Sequence, residues 1–138
     1  MFKVSTSDAF IGVETGNGMY RWEAARGGFL TAFTVKESGV EHRMFDADSG
    51  PSIFIKTSAG MLDLSHYPAK LLIDQQDASR LVFDAISDID GLFQFEQQYS
   101  IFEEGAVFCE FRIVPKPGQS IKVSDVDIRV TLDLQGAA

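Results

Sequence analysis

The sequence predicts an all-β protein, an antiparallel β-sandwich of about ten strands built as one domain. Three observations carry this reading. Apolar and polar residues alternate with a period of two over most of the chain from Ala9 to Leu134. Short Gly-, Asp-, Asn- or Pro-containing segments punctuate the alternation, as antiparallel hairpins require. Phe is abundant, at 12 in 138 residues, and such large, stiff rings suit a pleated face better than the narrow seam of a helix bundle. A closed barrel is the competing architecture.

The elements follow in order. Gly16-Asn17-Gly18 forms a hairpin turn into the strand Met19-Tyr20-Arg21-Trp22-Glu23. After Arg26-Gly27-Gly28-Phe29, the run Leu30 to Lys36 and the run Val40 to Phe45 make a hairpin about Glu37-Ser38-Gly39. Ser52 to Thr57, Lys70 to Gln75 and Arg80 to Ser87 read as further strands. Pro68 to Gln76 also fits a short helix with Pro in its first turn, but its strand neighbours favour a strand. Asp88-Ile89-Asp90-Gly91 is a turn. Leu92 to Phe102 places Phe93, Phe95, Gln97, Tyr99 and Ile101 on one face. The return strand through Val114 places Val107, Cys109, Phe111 and Ile113 on one face and Phe108, Glu110 and Arg112 on the other. Pro115-Lys116-Pro117-Gly118 ends that pairing. In the last strand Ile121 and Val123 alternate in one register and Val126, Ile128, Val130, Leu132 and Leu134 in the other, so a β-bulge is expected near Ser124-Asp125. The expected core between the sheets includes Phe93, Phe95, Phe111, Ile113, Ile128 and Val130.

A net charge of −8 argues against nucleic acid and anionic membranes, which require clustered Lys and Arg. The single cysteine, Cys109, forms no internal disulfide and is expected to pack as a small apolar residue. The N-terminal residues lack the apolar core of a secretory signal, and no run approaches the roughly 18 apolar residues that span a bilayer. The chain as given therefore reads as soluble.

No motif declares a catalytic or cofactor site. Gly16-Asn17-Gly18 lacks the third glycine and the helix of a dinucleotide fingerprint. Asp46-Ala47-Asp48-Ser49-Gly50 opens like a calcium loop but has Pro51 where glycine is required and Thr57 where the closing Glu belongs. His42 and His66 lack metal-ligand spacing, so no metal or cofactor is expected. Four residues are candidates for contact with carbohydrate. Tyr20 and Trp22 share a strand face, where their rings either stack on sugars or pack in the core. His66 and Tyr67 lie in a loop, the usual location of binding residues.

Arg26-Gly27-Gly28-Phe29-Leu30-Thr31-Ala32-Phe33 with Gly39-Val40-Glu41, and later Phe95 to Phe102 with Glu104 to Phe111, resemble the galactose mutarotase-like supersandwich. The resemblance covers roughly half of the chain. It implies a carbohydrate-handling fold, found in aldose epimerases and as accessory domains of polysaccharide-active enzymes. A complete domain of that family is longer, and its catalytic His and Glu lie on later strands, so the resemblance implies an N-terminal half or a reduced relative. The expected role is a non-catalytic carbohydrate-binding or accessory domain. Two alternatives stand beside it. One is an epimerase-like enzyme pairing His66 with a carboxylate. The other is a structural domain that dimerises through an edge strand, with Ile121 to Leu134 as the expected edge.

Overall fold

The structure is a computed structural model that describes residues 2–45, 50–58 and 60–129. Its strands are β1 (Lys3–Thr6), β2 (Phe10–Glu14), β3 (Gly18–Glu23), β4 (Leu30–Glu37), β5 (Val40–Phe45), β6 (Ser52–Thr57), β7 (Gly60–Asp63), β8 (Ala69–Gln76), β9 (Arg80–Ile89), β10 (Phe93–Phe102), β11 (Val107–Pro115) and β12 (Val123–Arg129). Two of the twelve escape the sequence pattern. β1 is too polar to show alternation, and β7 is only four residues long. The ambiguous segment before Gln76 is a strand, β8. Three-residue 3-10 turns at Ala24–Arg26 and Leu64–His66 are the only helical segments among the described residues.

All pairings are antiparallel and form three sheets: β1-β2-β3-β4-β5, β11-β10-β9-β8 and β12-β6-β7. The four-stranded sheet is the shared layer. Its inner face carries the alternating row predicted for β10, and all five of those residues, Phe93, Phe95, Gln97, Tyr99 and Ile101, are buried. Leu81, Phe83, Ala85, Ser87 and Ile89 lie opposite them on β9. Toward one end, Tyr99, Ile101, Leu81 and Phe83 pack with Ile11, Val13 and Trp22 of the five-stranded sheet. Toward the other, Phe93, Phe95 and Ile89 pack with Ile53 and Ile55 of the three-stranded sheet, joined by Phe29 and Leu64. One sheet facing two others is a sandwich-like arrangement with two apolar clusters.

A buried polar side chain occupies the join between the clusters. Gln97, 1% exposed, donates through Nε2 to the Gly27 carbonyl at 2.7 Å and accepts from the Tyr99 hydroxyl at 2.5 Å. Gly27 and Gly28 have φ of 73° and 74°, a left-handed conformation that glycine adopts without a Cβ penalty. A Cβ at Gly28 would also stand 2.4 Å from the Ala85 Cβ. The glycine pair therefore lets the loop before β4 press onto the four-stranded sheet.

The hairpin turns follow local chemistry. Ser38 and Gly39, with φ of 51° and 78°, make a two-residue turn rather than the expected three-residue one. The Asp88 carboxylate accepts from the Gly91 amide at 2.8 Å and stabilises the turn between β9 and β10. The bulge expected near Ser124-Asp125 is present: Val123 pairs with Thr57 and Asp125 with Lys56, leaving Ser124 as the extra residue.

Part of the expected core is open. Phe111 is 40% and Ile128 63% exposed, and Ile113 is half-buried. Val130 and the rest of that strand lie outside the described residues. The alternation placed the side chains correctly, since Phe111 pairs with the buried Gln97 and Ile128 with the buried Ile53. However, β11 and β12 are edge strands of different sheets, and among the described residues little covers their inner faces. Cys109 is exposed for the same reason. These edges border an apolar cleft of about 240 Å³ whose lining includes Trp22, Ile53, Tyr99, Phe111 and Ile128.

Phe93→Ala is expected to cost about 3–5 kcal/mol, the range for deleting a fully buried ring. Phe111→Ala should cost under about half of that, because its ring is already partly hydrated. Denaturant titration of the two variants checks this difference.

Candidate functional site

The four sequence candidates do not form one site. Trp22 is fully buried. Its ring packs edge-on against Phe83, with centroids 5.3 Å apart, and against Tyr99 at 5.5 Å. No ring face is left for a sugar, so Trp22 is a core residue. Its indole N–H has no hydrogen-bond partner among the described residues. Tyr20 is half-buried between Trp22 and Phe33, and its hydroxyl donates to the Gly105 carbonyl at 2.9 Å. Burial raises its phenol pKa. Its role is to tie β3 to the turn between β10 and β11, a tie that Asn17 repeats by donating to the Glu104 carbonyl at 2.9 Å.

His66 and Tyr67 belong to the other end of the molecule. The Tyr67 hydroxyl donates to Asp90 Oδ2 at 2.7 Å. That bond, followed by burial, raises its phenol pKa. His66 Nε2 lies 3.4 Å from Asp63 Oδ2, and its side chain is 73% exposed. The expected His–carboxylate pair is therefore present, but Asp63 is occupied structurally. Its Oδ1 accepts from Ser52 Oγ at 2.5 Å, Ser65 N at 3.0 Å and Ser65 Oγ at 2.7 Å. Burial alone would raise the Asp63 pKa, but these hydrogen bonds and the nearby His66 outweigh it and hold the carboxyl below its ordinary value. An anion so heavily hydrogen-bonded makes a poor proton acceptor.

The outer face of the four-stranded sheet gathers a denser polar constellation. Residues alternate with the buried row, so Gln94, Glu96 and Gln98 of β10 face outward, flanked by Asp84 and Ile86 of β9 and by Glu110 and Arg112 of β11. All of these except Gln94 line a depression of about 410 Å³. Gln98 is the central group: its Nε2 donates to Asp74 Oδ2 and to Asp84 Oδ1, both at 3.1 Å. A register shift between Ile73 and Gln75 in β8 leaves Asp74 as the extra residue beside this row. Glu96 accepts from Arg112 Nη2 at 2.6 Å and from Gln94 Nε2 at 2.9 Å. Burial raises the Asp84 pKa, and the neighbouring carboxyl of Asp74 and the charge of Glu96 raise it further, against the opposing bond from Gln98. Beside this row Phe108, 62% exposed, stands one pleat from Glu110 on the same face. Its ring meets Phe102 edge-on at 5.9 Å.

This face presents carboxylates held in place by the Gln94 and Gln98 amides, a guanidinium bonded to Glu96, the amide oxygens and an exposed aromatic ring. Such groups suit a ligand with many hydroxyls. Sequence reasoning missed it because its members come from three strands and are common residue types. The available signal was the unbroken polar row Gln94, Glu96, Gln98 opposite a buried row. Among the described residues, no group of three or more His, Cys, Asp or Glu side chains is arranged to hold a metal ion, and no helix is long and apolar enough to cross a membrane. The calcium-loop residues Asp46, Ala47, Asp48 and Ser49 lie outside the described residues. Neither a protein-family profile nor a curated protein sequence matches the chain.

Two predictions follow from the carboxylates. Asp84 has a raised folded-state pKa, so its contribution to stability is fully present below the ordinary carboxylate range and is lost as pH rises through the raised value. Asp84→Asn should therefore raise Tm at neutral pH by roughly 1–3 °C, the gain disappearing near about pH 4. Asp63→Ala should destabilise by about 2 kcal/mol, because it strands the buried hydroxyls of Ser52 and Ser65. Thermal melts across pH and denaturant titration measure these effects.

Proposed function

We propose that this chain is a non-catalytic carbohydrate-binding domain and that the outer face of β8 to β11 is its binding surface. The observation that supports the reading best is the juxtaposition of Gln98, Asp84, Glu96 and Glu110 around one depression with the exposed Phe108 ring beside it. Planar amides and carboxylates on rigid strands can make paired hydrogen bonds to neighbouring sugar hydroxyls. An exposed aromatic ring offers a face to the apolar side of a pyranose. The resemblance of Arg26 to Phe33 and of Phe95 to Phe111 to the mutarotase-like supersandwich points in the same direction.

The charge of the site narrows the ligand class. With three carboxylates lining the depression against one arginine already paired to Glu96, neutral or amino sugars fit and uronic acids or sulfated sugars are repelled. His66 and Asp63 lie outside this surface, and the reading assigns them no proton transfer.

A glycan array followed by calorimetric titration tests the proposal. Binding to a neutral or amino sugar, weakened about tenfold or more by Gln98→Ala and by Phe108→Ala, is the expected result. A mutarotation assay on the same protein should show no turnover. An array without a hit, binding indifferent to both substitutions, or turnover abolished by His66→Ala would each overturn the reading.

A further inference from the structure

Four of the eleven exposed large apolar side chains among the described residues lie on one edge strand. Val107, Phe108, Phe111 and Val114 on β11 are all at least 36% exposed. β11 ends the four-stranded sheet, and among the described residues it pairs only with β10. A nine-residue edge strand with apolar side chains on both faces is an open template for another strand.

The direction in which that template points follows from the hairpin. The Phe102 amide donates to the Ala106 carbonyl at 2.9 Å. Hydrogen-bonded pairs alternate along an antiparallel ladder. In the observed register of Ser100 with Phe108, Gln98 with Glu110 and Glu96 with Arg112, the even-numbered residues of β11 therefore bond to β10. Cys109, Phe111 and Ile113 turn their N–H and C=O groups to the open side.

The sequence of this strand is self-complementary about Phe111. Reading outward from it, Glu110 is matched by Arg112, Cys109 by Ile113 and Phe108 by Val114. A two-fold symmetric contact demands this property, because residue i must suit residue j and residue j must suit residue i. We infer that β11 pairs antiparallel with β11 of a second copy about a two-fold axis at Phe111, joining two four-stranded sheets into one.

In this register the open backbone groups of Phe111 bond to the partner's Phe111, and those of Cys109 to the partner's Ile113. Glu110 and Arg112 fall opposite the partner's Arg112 and the partner's Glu110, at the closer, non-hydrogen-bonded positions where side chains interact most. Every pair keeps its face: Phe111, Cys109 and Ile113 remain on the inner side, and Glu110 and Arg112 on the outer. Pro115, opposite the partner's Val107, has no N–H to give and ends the ladder. The pairing brings two apolar clefts together across the axis and reduces the hydration of Phe111 and Val107. This edge differs from the expected one at Ile121 to Leu134.

Sedimentation velocity on the whole chain from about 1 to about 100 µM tests the inference. The unmodified protein is expected to dimerise. Glu110→Arg and Arg112→Glu each place like charges opposite one another twice and should weaken the dimer roughly tenfold or more. The double variant carrying both changes restores the pairs across the axis, while losing the bond from Arg112 to Glu96 within each copy, and should restore the dimer. Cys109→Pro removes an edge-facing N–H while leaving the bonds to β10 in place, so it should also dissociate the dimer. Gln98→Ala lies off this strand and should leave the dimer intact, which separates this inference from the sugar-binding reading. A protein monomeric throughout the range, a dimer unaffected by the single charge reversals or by Cys109→Pro, or a double variant that stays monomeric would overturn it.

Discussion

The two halves of the interior are held in one register by a single buried amide. Gln97 stands in an otherwise apolar row of β10, and a side-chain amide placed there without partners would cost about 1–3 kcal/mol. Its partners come from two directions, the Tyr99 hydroxyl on its own strand and the Gly27 carbonyl from the loop before β4. Satisfying it requires that loop to lie against the four-stranded sheet, which in turn requires the left-handed glycines and the small Ala85 beneath them. The loop then delivers Phe29 to the cluster on one side and Leu30 to the cluster on the other. A polar contact thus sets the position of apolar ones. Dispersion and hydrophobic burial are non-directional, whereas a donor and an acceptor 2.7 Å apart permit one placement.

Much of the architecture was legible in the alternation. The buried row of β10, the phase change resolved by a bulge at Ser124, and the turn at Asp88 to Gly91 were all readable, because each is a local consequence of period and turn chemistry. What alternation does not encode is whether anything lies above a face. Phe111 and Ile128 point inward as their neighbours do, yet remain exposed, since coverage depends on how far the opposing sheet extends. The same limitation governs the candidate site. Trp22 and Tyr20 share a strand face, but only the packing of β9 and β10 determines that this face is the core. Asp84, Gln98 and Glu110 are separated in sequence by up to 26 positions, so their juxtaposition required the registers of two hairpins.

The four-stranded sheet has two chemically distinct faces, and this division organises the molecule. On β10 every second residue from Phe93 to Ile101 is buried, while the intervening residues Gln94, Glu96, Gln98 and Ser100 are polar. A one-residue slip of this strand would bury Glu96 and expose Phe95, so register is strongly specified. The polar face can therefore carry closely spaced carboxylates, whose mutual repulsion is small beside the cost of slippage. Strain of that kind persists on the outer face because the inner face holds the strand in place.

The order of strands has a kinetic corollary. Within the five-stranded and four-stranded sheets every neighbour in space is also a neighbour in sequence, and β6 with β7 forms a simple hairpin. These units close short loops and need little search. The pairing of β12 with β6 is different, because β6 ends at Thr57 and β12 begins at Val123. Between them lie β7 and the entire four-stranded sheet. Among the strand pairings of the described residues this one closes the longest loop, and its entropic cost falls before its contacts repay it. By this topology the third sheet is expected to be completed late, after the chain has built the layer on which it rests. Until then the backbone edge of β6 that β12 covers has no strand beside it, so the interval before closure is when this chain offers an open edge to its neighbours.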